Sequence, residues 1–168
     1  DYETGELKVE GTSPGEYTSY YKSCKRKGDV WSPEGVCRSY YETGELQKEE
    51  TLKDNQFQGP ARKYYPNGVV KEEYTYVNNK VEGIYKTYGE NGQLKHKGSY
   101  KEGRADGEYK DYYDTGELKT EGNIKNLKED GVKKTYYKTG SVMYLDTFIE
   151  GERLHRTAFD EQGRPRSR

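Results

Sequence analysis

A heptad of the form Tyr-Tyr-x-x-Gly-x-Leu returns along this chain at a fixed interval. Tyr112-Tyr113-Asp114-Thr115-Gly116-Glu117-Leu118 is nearly repeated by Tyr40-Tyr41-Glu42-Thr43-Gly44-Glu45-Leu46. Looser copies start at Tyr64 and Tyr136, and Tyr88-Gly89-Glu90-Asn91-Gly92-Gln93-Leu94 lacks only the second Tyr. Gly44, Gly68, Gly92, Gly116 and Gly140 are each 24 residues apart. A fixed period of that size marks a repeat array, in which no unit buries its own apolar face and neighbours must stack.

Each period reads as one β-hairpin. Gly107 to Tyr113 is short, Tyr-rich and bounded by Gly, a strand pattern. Asp114 to Glu117 is the turn, where Gly116 takes positive φ at no steric cost. Leu118 to Ile124 returns, and Asn126 to Asp130 is expected to form a polar loop into the next copy. Helix is disfavoured by the recurring Gly and by the lack of a 3.6-residue period. The predicted fold is all-β: an elongated single-layer antiparallel meander of about seven tandem hairpins.

The array spans 1–163, with a polar tail at 164–168. Gly5, another turn glycine, lies 39 residues before Gly44, so the units at about 11–43 are irregular. Either a 15-residue insertion interrupts one unit, or two shortened units are present. The match of Gly15-Glu16-Tyr17-Thr18-Ser19-Tyr20-Tyr21 to Gly107–Tyr113 favours the second, with Cys24 at a turn-glycine position. The chain begins inside a heptad, Tyr2 to Leu7, leaving room upstream for a signal peptide, a lipid anchor or further repeats.

Alternation sends adjacent Tyr to opposite sides of the sheet. Leu118 and Ile124, with their counterparts Leu46, Val70, Leu94 and Val142 and Leu52, Tyr76, Tyr100 and Phe148, have one parity and are expected on one face. Tyr21, Tyr41, Tyr65, Tyr113 and Tyr137, the second residues of each pair, form the candidate binding surface, because rigid amphipathic rings give large contact area at low entropy cost. The alternative is that they only stack between units.

The Tyr-Tyr-x-x-Gly-x-Leu-Lys run ending at Lys119, followed by Tyr-Lys-x-Gly-x-x-x-Gly at Tyr100 to Gly107, resembles the bacterial MORN-repeat-variant family. The resemblance implies an elongated hairpin sheet and a scaffold or binding role. Many relatives carry an antitoxin or immunity label, and others are surface or periplasmic proteins.

Composition narrows the chemistry. Charged residues are 35% and apolar residues 29% of the chain, so the core is thin and rests on 19 Tyr. With 29 basic and 30 acidic residues interleaved, no basic block supports nucleic-acid binding. No apolar run is long enough to span a membrane. His96 and His155, the only histidines, lack ligand spacing and read as solvated. No nucleophile motif or phosphate loop is present. The sequence therefore predicts a non-enzymatic protein without a metal or cofactor, binding a protein of unknown identity and able to self-associate through its sheet ends.

Cys24 and Cys37 are the only cysteines. A bridge between them would close a loop of about 14 residues, contribute on the order of 3 kcal/mol and indicate an oxidising compartment. A regular meander would hold them roughly 16 Å apart, so a bridge requires a bent unit or the insertion alignment. The exported reading is periplasmic, outer-membrane-anchored or secreted. The alternative is a cytoplasmic immunity protein that neutralises a toxin.

Overall fold

A Tyr-x-x-Gly turn and a two-residue turn alternate along the chain, and together they dictate the fold. In the computed structural model, residues 35–166 are described, together with the backbone of Leu7–Lys8 and Tyr20–Tyr21. The strands are β1 (Leu7–Lys8), β2 (Tyr20–Tyr21), β3 (Gly35–Tyr40), β4 (Leu46–Lys53), β5 (Gln56–Tyr64), β6 (Val70–Val77) and β7 (Lys80–Tyr88). They continue as β8 (Leu94–Lys101), β9 (Arg104–Tyr112), β10 (Leu118–Lys125), β11 (Lys128–Glu129), β12 (Gly131–Tyr136), β13 (Val142–Ile149) and β14 (Glu152–Ala158). All pair antiparallel in one open sheet in chain order, β11 being a short stub on β10. Among the described residues there is no helix. The all-β hairpin meander expected from the sequence is the observed fold.

At one edge of the sheet the Tyr-x-x-Gly-x segments turn. Gly116 N donates to Tyr113 O at 2.8 Å, and Tyr113 N to Glu117 O at 2.9 Å. The same pair of bonds forms at Tyr41, Tyr65, Gly89 and Tyr137. Gly116 sits at φ +99°, and Gly44, Gly68, Gly92 and Gly140 are likewise positive. This is a three-residue loop closed by a residue of left-handed twist, a favoured hairpin connection. Asp160 N to Arg164 O and Gly163 N to Asp160 O repeat it once more, and Phe159 bridges Pro165. The array thus runs on through Arg166, whose N donates to Ala158 O.

At the other edge the turns are tighter than the predicted polar loop. Asp54-Asn55, Asn78-Asn79, Glu102-Gly103, Asn126-Leu127 and Glu150-Gly151 all have positive φ at both residues. That geometry matches the strand twist. After Asn126-Leu127 the chain re-enters the sheet at once as β11, so there is no loop from Asn126 to Asp130.

Two irregularities per unit set the faces. Tyr112 pairs with Leu118, but Asp111 pairs with Thr120, so a bulge lies between Leu118 and Thr120. A bulge breaks strict alternation. Leu118 shares a face with Tyr112, and Ile124 lies on the other, opposite Gly107. The same shift separates Leu46, Val70, Leu94 and Val142 from Leu52, Tyr76, Tyr100 and Phe148. This corrects the one-face expectation for these two sets. The second bulge lies on the outgoing strand. Gly98 pairs with Tyr109 and Tyr100 with Ala105, leaving three residues opposite one.

One face is aromatic. Phe57, Tyr76, Tyr74, Tyr85 and Tyr100 form a chain of ring contacts with centroids 4.9 to 5.5 Å apart. The opposite face carries a charged row. With a single layer, the buried apolar residues among those described are only Cys37, Ala61 and Tyr74. Within the irregular region, β2 pairs directly with β3, Tyr20 opposite Tyr40, so no strand separates them. The rest of units 11–34 lies outside the described residues.

Candidate functional site

The aromatic face has a row of positions running straight across the strands. From β3 to β13 it reads Cys37, Glu50, Ala61, Tyr74, then Tyr85, Gly98, Tyr109, Gly122, Lys133 and Asp146. Glu50, Tyr74 and Asp146 occupy the returning-strand position in their units and are buried. Gly98 and Gly122 occupy it in the two central units and have no side chain to fill it. A hollow of about 290 Å³, open to solvent, results there.

The hollow is shaped by rings that lie over the glycines. A Cβ at Gly122 would stand 2.9 Å from ring atoms of Tyr109, and one at Gly98 would stand 2.8 Å from His96 Nε2. The absence of those Cβ atoms lets Tyr109 and His96 lie flat, with centroids 6.3 Å apart and planes within 20°. Tyr100, Ala105 and Ile124 supply the apolar wall.

Five of its polar side chains are linked in two sets. His96 Nδ1 is 2.7 Å from Asp111 Oδ1. Tyr109 donates to Glu129 Oε1 at 2.8 Å, and Lys133 Nζ donates to the same oxygen at 2.6 Å. Burial pushes the Tyr109 phenol far above its ordinary value, and the Glu129 carboxylate reinforces this. Tyr109 therefore stays a neutral donor. Burial acts likewise on Tyr85, aided by Glu72. An apolar wall with a few fixed polar groups can seat a side chain of a partner. Among the described residues no group of three or more His, Cys, Asp or Glu is placed to hold a metal.

The second-Tyr ladder holds the stack together. Tyr41, Tyr65, Tyr113 and Tyr137 donate their hydroxyls to the carbonyls of Tyr64, Tyr88, Tyr136 and Phe159, at 2.5, 2.9, 2.7 and 2.9 Å. Each bond joins one unit to the next. Their rings are half-buried, and lysines cover two of them: Lys71 over Tyr65 and Lys119 and Lys138 over Tyr113. The Tyr21 side chain, Gly5 and Cys24 lie outside the described residues. Cys37 is buried, 3% exposed, and there is no free thiol among the described residues.

His96 corrects the solvated reading. It is half-buried and bonded to a carboxylate, whereas His155 is exposed, with its Nε2 3.1 Å from Thr157 Oγ1. The signal was a spacing. His96 and Asp111 are 15 residues apart, as are Glu73 and Tyr88, and Glu121 and Tyr136, both also bonded. That interval spans a returning strand, the tight turn and the next outgoing strand. The glycine hollow had a signal too, since Gly98 and Gly122 stand where other copies have Glu, Tyr or Asp.

Comparison with known proteins points to the repeat class. A family model described as MORN repeat variant matches five segments, residues 33–54, 57–78, 81–102, 105–126 and 129–150. No curated protein matches the chain. Solved structures that resemble it include a Staphylococcus aureus TarM mutant in complex with fondaparinux, alpha-GlcNAc-glycerol and UDP, at 14% identity and TM-score 0.40, covering 63% of this chain and 20% of that one. A second structure of TarM gives 14% identity and TM-score 0.40, covering 66% and 21%. The chain spans about a fifth of the length of either.

Proposed function

The chain belongs to the MORN repeat variant family, and from that premise we propose a non-enzymatic scaffold that binds a protein partner through its aromatic face. The observation that carries this reading is the pair of glycines, Gly98 and Gly122, which open a hollow in the middle of an otherwise filled row. Tyr, Ile and a half-buried ion pair, Lys133 with Glu129, around a concavity are the ingredients of an anchor-residue pocket. The groups there bond each other rather than converging on a free position, which supports binding over catalysis.

A pair of surface variants tests this. Captures from the source cells are run with the native chain and with a Tyr100→Ser/Ile124→Ser chain of matched Tm. A protein captured by the first and lost by the second supports the reading. Identical capture by both removes the aromatic face from consideration.

The compartment we infer is an oxidising one, with the protein periplasmic, outer-membrane-anchored or secreted. Support comes from Cys37, which is not a free thiol, in a chain with one other cysteine, Cys24. Thiol titration under denaturing conditions, without reductant, is expected to find no free thiol. Two free thiols would favour the cytoplasmic immunity protein.

A further inference from the structure

We propose that the face opposite the aromatic one carries a carboxylate-binding position at Lys97, which takes an acidic side chain from a segment of a partner protein. The inference is independent of the aromatic-face reading and rests on a charge ladder in which a lysine once takes the place of a glutamate. Across the sheet this row reads Arg38, Glu49, Arg62, Glu73, Lys86, Lys97, Lys110, Glu121, Lys134. Cations stand on outgoing strands and glutamates on returning strands, except at Lys97 and at Leu145, the uncharged residue opposite Lys134 on β13; only at Lys97 do three cations adjoin.

Two glutamates show what the position is built to hold. Glu73 lies 2.9 Å from Arg62 Nη2 and 3.2 Å from Lys86 Nζ, and it accepts from the Tyr88 hydroxyl at 3.2 Å. Glu121 lies 3.4 Å from both Lys110 Nζ and Lys134 Nζ, and it accepts from the Tyr136 hydroxyl at 2.6 Å. Each carboxylate thus sits between two cations and under a phenol. At Lys97 the flanking cations are Lys86 and Lys110, and Tyr112 stands at the same 15-residue offset. The donors are present and the carboxylate is missing.

Nothing in the described chain substitutes for it. Among the described residues, neither Lys97 nor the Tyr112 hydroxyl has a hydrogen-bond or ion-pair partner. Glu108, next along β9 on this face, makes no ion pair. Lys97 is exposed, and Lys86 and Lys110 have side chains 36% and 45% exposed. Three lysines directly opposite one another repel. Lysine ammoniums carry three donors each, so Lys86 and Lys110 can bond an added acid without releasing Glu73 and Glu121. An unpaired lysine between two lysines that each already hold a glutamate of this chain favours a Glu or Asp side chain over a lipid phosphate.

The test uses a fluorescein-labelled oligoglutamate peptide in anisotropy titrations at low salt. The native chain is expected to bind it, and Lys97→Glu to weaken binding by roughly tenfold or more, the scale of one charge-assisted bond plus the added repulsion. Lys53→Glu, the same charge change at an exposed lysine on β4, is expected to leave most of the affinity. Because Lys97→Glu completes the ladder, its Tm should rise. No peptide binding by the native chain, equal losses in the two variants, or a lower Tm for Lys97→Glu would each overturn the proposal. So would capture of phosphatidylserine vesicles by a chain that ignores the peptide.

Discussion

The hydroxyl of Tyr113 donates to the backbone carbonyl of Tyr136 at 2.7 Å, one repeat further on. This bond ties the tight turn of one hairpin to the end of the next outgoing strand, so each unit fixes its neighbour's position. A single-layer sheet has no second layer to do this. In linear arrays stability is close to a sum of unit terms and interface terms between neighbours, and the Tyr113–Tyr136 bond belongs to the interface.

Tyr113→Phe should therefore destabilise by about 0.5–1.5 kcal/mol, the net value of one such bond. Tyr65→Phe, two units away, removes the Tyr65–Tyr88 bond, and the double variant should lose the sum of the two single losses. Urea unfolding followed by Tyr fluorescence measures this. No loss in either single variant would show that the hydroxyls are incidental to stacking.

The turns make a paired prediction of opposite sign. Gly116 sits at φ +99° with Gln93 Oε1 3.3 Å from where a Cβ would lie, so Gly116→Val should cost roughly 1–3 kcal/mol or more in backbone strain. Leu127 sits at φ +64° and is 60% exposed. Its counterparts in two other units are Gly103 and Gly151. Leu127→Gly relieves the strain of a bulky residue in the left-handed region and should stabilise by about 0.5–1 kcal/mol. An unchanged or lower Tm for Leu127→Gly would mean that its side chain contributes packing which outweighs the strain.

What could be read from the sequence was what depends on neighbours within one unit. The Gly116 turn follows from local chemistry, and the 24-residue period carries it to every copy. Leu118 was misplaced because pairing parity assumes an unbroken ladder. The bulge between Leu118 and Thr120 is a property of two strands together, and no alternation pattern within one strand reveals it. His96 was misplaced because its partner, Asp111, is remote in sequence though adjacent in the sheet. Comparing copies at a fixed offset would have recovered that pair, along with the Lys97 break in the charged row.

The C-terminal end has its own clamp. Asp146 is 1% exposed and takes two bonds from Arg156, 2.7 Å from Nε and 2.8 Å from Nη2. The guanidinium also lies 4.2 Å over the Tyr144 ring. Arg156→Met leaves a buried carboxylate without its principal partner and should cost about 3–5 kcal/mol. Asp146→Asn leaves only a half-exposed guanidinium that water can reach, so it should cost less. Thermal melts of the two variants give the order, and a larger loss for Asp146→Asn would contradict the burial argument.

The charged row gives the array a stability plateau with two limbs. The Tyr136 hydroxyl is the largest influence holding the Glu121 carboxyl below its ordinary range, against burial, with help from Lys110 and Lys134. Arg62 does the same for Glu73. Carboxyls depressed in the folded state stabilise it above their unfolded value of about 4.3, and that stability is lost as pH falls through the folded value. Burial, then Glu121, pushes the Tyr136 phenol up to about 12. A phenol raised in the folded state stabilises below its unfolded value of about 10, and the contribution is lost as pH climbs towards the folded one. Tm should thus be flat from about pH 6 to 9 and fall on both sides. Tyr136→Phe removes the main donor to Glu121, so its acid limb should be shallower. Its alkaline limb should weaken only in part, because burial also holds up Tyr74, Tyr85 and Tyr109. Melting curves across pH 3 to 11 separate these outcomes, and an acid limb in Tyr136→Phe as steep as that of the native chain would show that the phenol does not set the Glu121 titration.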